Sequence, residues 1–180
     1  MNRALCTFSL VLASSLVLLH AESAANDIVV DTCKKVSSRD LSYDFCVQAL
    51  RSDPKSRTAD LQGLGLVALN LLERNVTSTG SYVQQLLKRK WDRFVRVRLS
   101  DCSELYSEAV LHTRESIEAY RAKRYPDVQN WLSMVDTAAD TCESQFKEKP
   151  GASSPLTKQN GDAMQLGALG LNMVAIIAGS

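Results

Sequence analysis

From residue 27 onward, apolar side chains recur every three or four positions, the spacing that lays them along one face of a helix, and no alternating run competes with it. Asp27 is placed to cap a short helix ending near Val36, and Ser42 to cap a second running to Arg51. Between them Ser37 to Asp40 is polar and reads as a turn. Pro54 then stops the second helix, because it lacks a backbone donor and disfavours helix in the residue before it. Thr58 reads as the N-cap of a helix reaching Arg74, with Leu61, Leu64, Val67 or Ala68, and Leu71 on one face. Gly63 and Gly65 weaken that helix by about 1 kcal/mol each relative to Ala, a cost offset by tertiary packing or by a close helix approach. The polar, Gly-containing run Asn75 to Ser81 predicts a loop, after which Tyr82, Val83, Leu86 and Leu87 begin a second bundle helix.

The pattern is indistinct from Lys88 to Arg98 and then resumes. A third helix carries Phe94, Cys102, Leu105, Ala109 and Ile117 near one stripe. A turn at Ala122 to Pro126 leads to a fourth with Val128, Trp131, Val135, Ala139, Cys142 and Phe146. Lys147 to Lys158 holds Pro150, Gly151, Ser153, Ser154 and Pro155 and is a connecting loop. The last helix uses Met164, Leu166, Leu169, Met173, Ile176 and Ile177. Asn172 interrupts its apolar end, which therefore reads as a core helix closing the bundle and not as the tail of a lipid-anchor signal. The predicted fold is all-α: an up-down four-helix bundle preceded by an N-terminal helical hairpin.

The first 25 residues stand apart from this pattern. Arg3 is a positive start, Ala4 to Leu19 is apolar, and Ser23 and Ala25 suit a cleavage after Ala25, with a cut after Ser23 fitting almost as well, the layout of a secretory signal peptide. The apolar run is short of the ~20 residues a bilayer demands, so no membrane association is expected after its removal. Residues 26–180 then form one domain, with the hairpin over 26–54 and the bundle over 55–180. The full chain of 180 residues has a net charge of +1, and loss of Arg3 and Glu22 with the leader leaves it there. A balance of this kind gives no global argument for nucleic acid or membrane partners.

Cys6 departs with the leader, leaving Cys33, Cys46, Cys102 and Cys142. An even number in an exported chain predicts two disulfides, for which three connectivities exist. The helices choose among them. The midpoint of Cys33 and Cys46 falls in the polar turn near Arg39 and Asp40, and that of Cys102 and Cys142 falls at 122, in the second turn. Each pair is thus centred on its own helical hairpin, which assigns 33–46 and 102–142.

Residues for catalysis are scarce. His112 is the one histidine beyond the leader, no Ser stands in a G-x-S-x-G elbow, and the cysteines are committed to disulfides. No zinc or calcium ligand spacing occurs, so neither metal nor cofactor is expected. Asp136 and Asp140 share a helix face but read as a solvated pair, since glycoside hydrolysis needs two carboxylates facing each other across a cleft. Lys88, Arg89, Lys90, Arg93, Arg96 and Arg98 interleave with Trp91 and Phe94. In an exported protein such a cluster suits a helix junction with aromatics packed inward, or an acidic partner, either polysaccharide or the surface of an acidic enzyme, ahead of nucleic acid. Asn75-Val76-Thr77 is a glycosylation sequon placed in the predicted loop.

With cysteines and helices placed, the chain resembles the plant invertase and pectin methylesterase inhibitor family. The resemblance is carried by Cys33 through Cys46, Asp53-Pro54-Lys55-Ser56, Thr58-Ala59-Asp60-Leu61, Asp101-Cys102-Ser103-Glu104-Leu105-Tyr106, Trp131-Leu132-Ser133, Asp140-Thr141-Cys142-Glu143, Phe146 and Ser154-Pro155. Thr32-Cys33-Lys34-Lys35-Val36, Tyr43-Asp44-Phe45-Cys46 and Gln62-Gly63-Leu64-Gly65 are similar to its plane-tree pollen-allergen branch. The resemblance implies a non-catalytic protein of the apoplast or vacuole, monomeric, with the same two disulfides. It implies inhibition by occluding the cleft of cell-wall or vacuolar invertase, with pectin methylesterase the second target. The family's characterised invertase inhibitors share a Pro-Lys-Phe segment at the start of the fourth bundle helix. Counted back from Cys142, its place here is Tyr125-Pro126-Asp127, the expected inhibitory contact, where the Lys is replaced by an acid.

Overall fold

The computed structural model describes residues 28–179; the expected leader and the Asp27 cap lie outside the described residues. Helix α1 covers residues 28–36, and Ser37 closes it by donating its hydroxyl to the Cys33 carbonyl at 2.6 Å. Ser42 caps α2, Tyr43–Arg51, by accepting from the Phe45 amide. Leu41, in the turn between them, is fully buried and pins that turn to the core. A disulfide joins Cys33 to Cys46 across the pair, closing a loop worth about 3 kcal/mol in the chain-entropy model.

Helix α2 ends ahead of Pro54, which opens a 3-10 turn over Pro54–Arg57. Asp53 caps that turn through the Lys55 amide at 3.0 Å and receives the Arg74 guanidinium at 3.1 Å. Ser56 donates to the Leu50 carbonyl at 2.6 Å. These bonds lash the hairpin to the bundle. The Lys55 N–H foremost, with Arg74 behind it, holds the Asp53 carboxyl below the usual carboxylate range against the opposing effect of burial.

Helix α3 runs unbroken over Leu61–Leu87, which corrects the sequence-based expectation in two places. Its N-cap is Asp60, accepting from the Gly63 amide at 2.7 Å, while Thr58 ends the preceding 3-10 turn. A charged acceptor at the positive end of a helix outcompetes a hydroxyl two residues earlier. The segment 75–81 is helical, not a loop. Leu72, Val76, Thr79 and Val83 are buried at helical spacing, and the Ser78 and Ser81 hydroxyls turn back to the Asn75 and Thr77 carbonyls. Polar composition signalled a break, but burial of the apolar face outweighs weak local propensity.

Helices α4 (Arg93–Arg121), α5 (Tyr125–Ser144) and α6 (Thr157–Ala178) complete the bundle, with a 3-10 turn at Gln145–Glu148 after α5. Helix α3 packs on α4 and α6, and α5 packs on the same two, so the four long helices form the expected bundle. A disulfide joins Cys102 of α4 to Cys142 of α5, and Leu69, Leu72, Leu99, Tyr106, Leu132 and Phe146 fill the interior. Helix α6 is long and apolar enough to cross a membrane, yet Ala163, Leu169 and Met173 bury its inner face in the core.

Two features set how closely the helices approach. The Tyr120 hydroxyl donates to the Gln62 carbonyl at 2.8 Å and lies where a side chain at Gly65 would start, so only glycine fits. Farther along, Tyr106 donates to Asn160 Oδ1 at 2.7 Å, and Asn160 Nδ2 donates to Glu143 Oε2 at 2.7 Å. Asn160 is fully buried, and its two bonds join α4, α5 and α6 without leaving either end of the amide unpaired.

Gly65→Ala is expected to cost about 1–3 kcal/mol by overpacking Tyr120. Gly161→Ala in α6, where an added methyl meets nothing within 4 Å, is expected to stabilise by about 0.5–1 kcal/mol. Urea denaturation of both variants measures the pair, and a neutral Gly65→Ala removes the close-approach account.

Candidate functional site

The chain reverses between α4 and α5 in three residues. Ala122 ends α4, and Lys123 takes the left-handed conformation with φ of 58°. The Lys123 amide bonds to the Tyr120 carbonyl at 3.0 Å and the Arg124 amide to the Ala119 carbonyl at 2.9 Å. Both bonds use carbonyls that the end of a helix leaves free, the usual closure around a left-handed residue, here without the customary glycine. Helix α5 then opens with Tyr125 and Pro126, whose ring suits a first turn.

The three residues of the expected inhibitory contact point in different directions. Tyr125 turns inward, half-buried, with its ring edge-on to Tyr120 at 6.0 Å. Pro126 is exposed at the tip. Asp127 is half-buried and paired with Arg124, so the acid that replaces the lysine is neutralised locally.

Behind this tip a groove of about 810 Å³ runs between α4 and α5. Leu105, Glu108, His112 and Glu115 form one wall, and Asp127, Trp131 and Met134 the other. His112 stacks on Trp131 with centroids 5.2 Å apart and planes 16° from parallel. Met134, 48 % exposed, belongs to the groove wall, and Leu111, 60 % exposed, stands beside His112 on α4. Sequence reasoning placed Trp131 among the core positions and passed over both of these apolar side chains. The available signal was that Leu111 and Met134 lie off the apolar stripes of their own helices.

The other singled-out residues are dispersed. Asp136 and Asp140 border a cleft of about 590 Å³ with Asp40 from the hairpin turn and Gln165 and Asn172 from α6. Asp136 is half-buried, which amends the solvated-pair reading. Burial first, then the Asp140 and Asp40 charges, push its carboxyl above the ordinary carboxylate value. Among the described residues no group of three His, Cys, Asp or Glu side chains is arranged to hold a metal. Asn75 lies in mid-helix, half-buried, with its Oδ1 enclosed, so the sequon is not presented on a loop.

The basic cluster divides by role. Trp91 donates its indole N–H to the Leu86 carbonyl at 2.7 Å. Phe94 has Arg98 and Lys149 against its ring at 5.2 and 5.4 Å. Arg98 also pairs with Asp101 and Glu148. Lys88, Arg89, Lys90, Arg93 and Arg96 are exposed.

Comparison with known proteins gives this arrangement its context. A family model described as plant invertase/pectin methylesterase inhibitor matches residues 27–173. The chain belongs to that family. A Platanus acerifolia protein named "Putative invertase inhibitor" is 41 % identical over 90 % of this chain and 91 % of its own. The "Cell wall / vacuolar inhibitor of fructosidase 2" of Arabidopsis thaliana is 31 % identical over 79 % of this chain and 78 % of its own. A crystal structure of a mutant pectin methylesterase inhibitor from Arabidopsis superposes with a TM-score of 0.69 at 19 % identity, covering 80 % of this chain and 93 % of that one. The inhibitor family and its all-helical fold are those that the sequence resemblance implied, and the relatives matched along most of their length are named as inhibitors, not as catalysts.

Asp136 supplies a pH test for the inhibitor's stability. A carboxyl raised on folding contributes stability below its unfolded value, near 3.9, that is lost as pH rises through the higher folded value. Asp136→Asn is therefore expected to raise the Tm at pH 7, with the advantage shrinking as pH falls toward about 4. Thermal unfolding at pH 7, 5 and 4 checks this, and a variant less stable than the parent at pH 7 contradicts it.

Proposed function

We propose that this protein is a secreted, monomeric inhibitor of a cell-wall or vacuolar invertase, docking through the tip and groove formed by α4 and α5. The observation that carries this reading is the groove itself, where apolar Leu105, Trp131 and Met134 are laid open between two covalently joined helices. Aromatic and methionine side chains of this kind are enriched at the centres of protein interfaces, where a few of them dominate the binding energy. Both walls come from long helices joined by the disulfide and by a three-residue turn, so little conformational freedom is lost on binding. Inhibition then consists of covering the target's substrate cleft.

The invertase assignment is supported by relatives whose names refer to invertase or fructosidase. Pectin methylesterase is the second reading, because one observation weighs against the invertase contact without itself selecting a target. The tip lacks the Pro-Lys-Phe lysine of characterised invertase inhibitors and carries Asp127, already paired to Arg124.

Purified protein with intact disulfides, assayed side by side against both enzymes, is expected to inhibit invertase at micromolar concentration or below. The double variant Leu111→Ala and Met134→Ala is expected to weaken inhibition at least tenfold, about 1.4 kcal/mol, with no change in Tm, because both side chains are exposed. Full activity of both enzymes at micromolar protein eliminates the inhibitor reading. Inhibition of pectin methylesterase alone replaces the target.

A further inference from the structure

The end of the bundle remote from this tip carries a different kind of surface. The loop before α4 and its first turn hold Lys88, Arg89, Lys90, Arg93 and Arg96, all exposed, and none of them enters an ion pair among the described residues. Arg93 and Arg96 are one turn apart on the outward side of α4. The fold adds Lys147, also exposed and without an ion pair among the described residues. The Arg98–Glu148 ion pair and the Lys149 contacts to Asp92 and Phe94 bring 147–149 against the start of α4.

The acids of this neighbourhood are already engaged and cannot neutralise those six cations. Asp92 accepts from the Phe94 and Val95 amides and faces Lys149. Glu148 and Asp101 are both taken by Arg98. Six exposed cations without an ion-pair partner among the described residues are therefore gathered at this end, and the positive pole of α4 reinforces them.

We infer that this end binds an acidic polysaccharide, a polyuronate chain whose regularly repeated carboxylates meet the unpaired lysines and arginines. Nucleic acid is disfavoured by the aromatics. Binding to single strands relies on free ring faces for stacking, yet Trp91 is half-buried and anchored to Leu86, and Phe94 is occupied by Arg98 and Lys149. Along α4 the α4–α5 tip lies about 40 Å from this surface and the near end of the groove, Leu105, about 14 Å beyond Arg96, so the polymer contacts lie outside the groove.

The test uses the whole mature protein, with disulfides intact, on immobilised polygalacturonate and on the same polymer fully methyl-esterified. Retention is expected on the free acid alone, with release by about 0.5 M salt, where exposed charges are strongly screened. The triple reversal Arg89→Glu, Arg93→Glu, Arg96→Glu is expected to weaken binding at least thirtyfold. Its far-UV spectrum and its inhibition of the target on a neutral soluble substrate are expected to be unchanged. Reversing Lys34 and Lys35 on α1 is expected to leave retention intact and serves as the control for net charge. No retention of the parent protein, equal retention on the esterified polymer, equal loss in the α1 control, or tighter binding to single-stranded DNA overturns the assignment.

Discussion

Cys102 and Cys142 are joined inside the core, and both are fully shielded from solvent. Because α4 and α5 are antiparallel, a link there fixes their register at one end, and the three-residue turn at Ala122 to Arg124 fixes it at the other. The stretch between has little freedom to slide or splay. Everything distinctive about the surface depends on that stretch, since His112 and Trp131 stack only while the two helices keep this register. Asn160, bonded to Tyr106 and through Glu143 to α5, braces the same pair from the α6 side. In the chain-entropy model a 40-residue link stabilises by about 4 kcal/mol, large against typical stabilities of about 5–15 kcal/mol.

Much of this frame was legible because it follows from local chemistry. Ser42 before an apolar-periodic run, and two cysteine pairs each centred on a polar turn, lead directly to the hairpin and to the α4–α5 unit. The misreadings arose where local signals and tertiary burial disagree. At 75–81 serine, threonine and glycine announced a loop, but Val76 and Val83 continued the buried stripe and the segment stayed helical. At Thr58 a cap was available, but Asp60 is the stronger acceptor. The candidate groove was largely hidden, since Trp131 is indistinguishable by spacing from a core residue until the neighbouring helix is placed. In the basic cluster composition could not separate Arg98, which pairs with two acids, from Arg93 and Arg96, which pair with none among the described residues.

Two carboxylates at the junction of hairpin and bundle bear on stability in opposite ways. Asp53 is held ionised by the Lys55 amide and Arg74, so its contribution is present above about pH 3.9 and fades as pH falls through its lower folded value. Asp136 is pushed the other way by burial, Asp140 and Asp40. One carboxylate fastens the hairpin to α3, while the other meets Asp40 of the hairpin turn with like charge. As pH falls, Asp136 is protonated before Asp53, so its like-charge contacts are relieved before the Asp53 attachment weakens.

An inhibitor that acts by covering a cleft gains from being held near its target, and the two ends of α4 permit it. A weak contact to a polymer through Lys88 to Arg96 confines the molecule without occupying the α4–α5 face. For short tethers the effective concentration reaches the millimolar range, and overall avidity can exceed the single-site affinity by about 10²–10⁴ when geometry allows both contacts at once. Opposite placement on a rigid helix meets that geometric condition. It also explains why unpaired cations can persist on a protein of nearly zero net charge. Along α4 the acidic groove wall begins about 18 Å beyond Arg96 at Glu108 and continues to Glu115, which limits mutual neutralisation, since the screening length is only about 8 Å at physiological ionic strength.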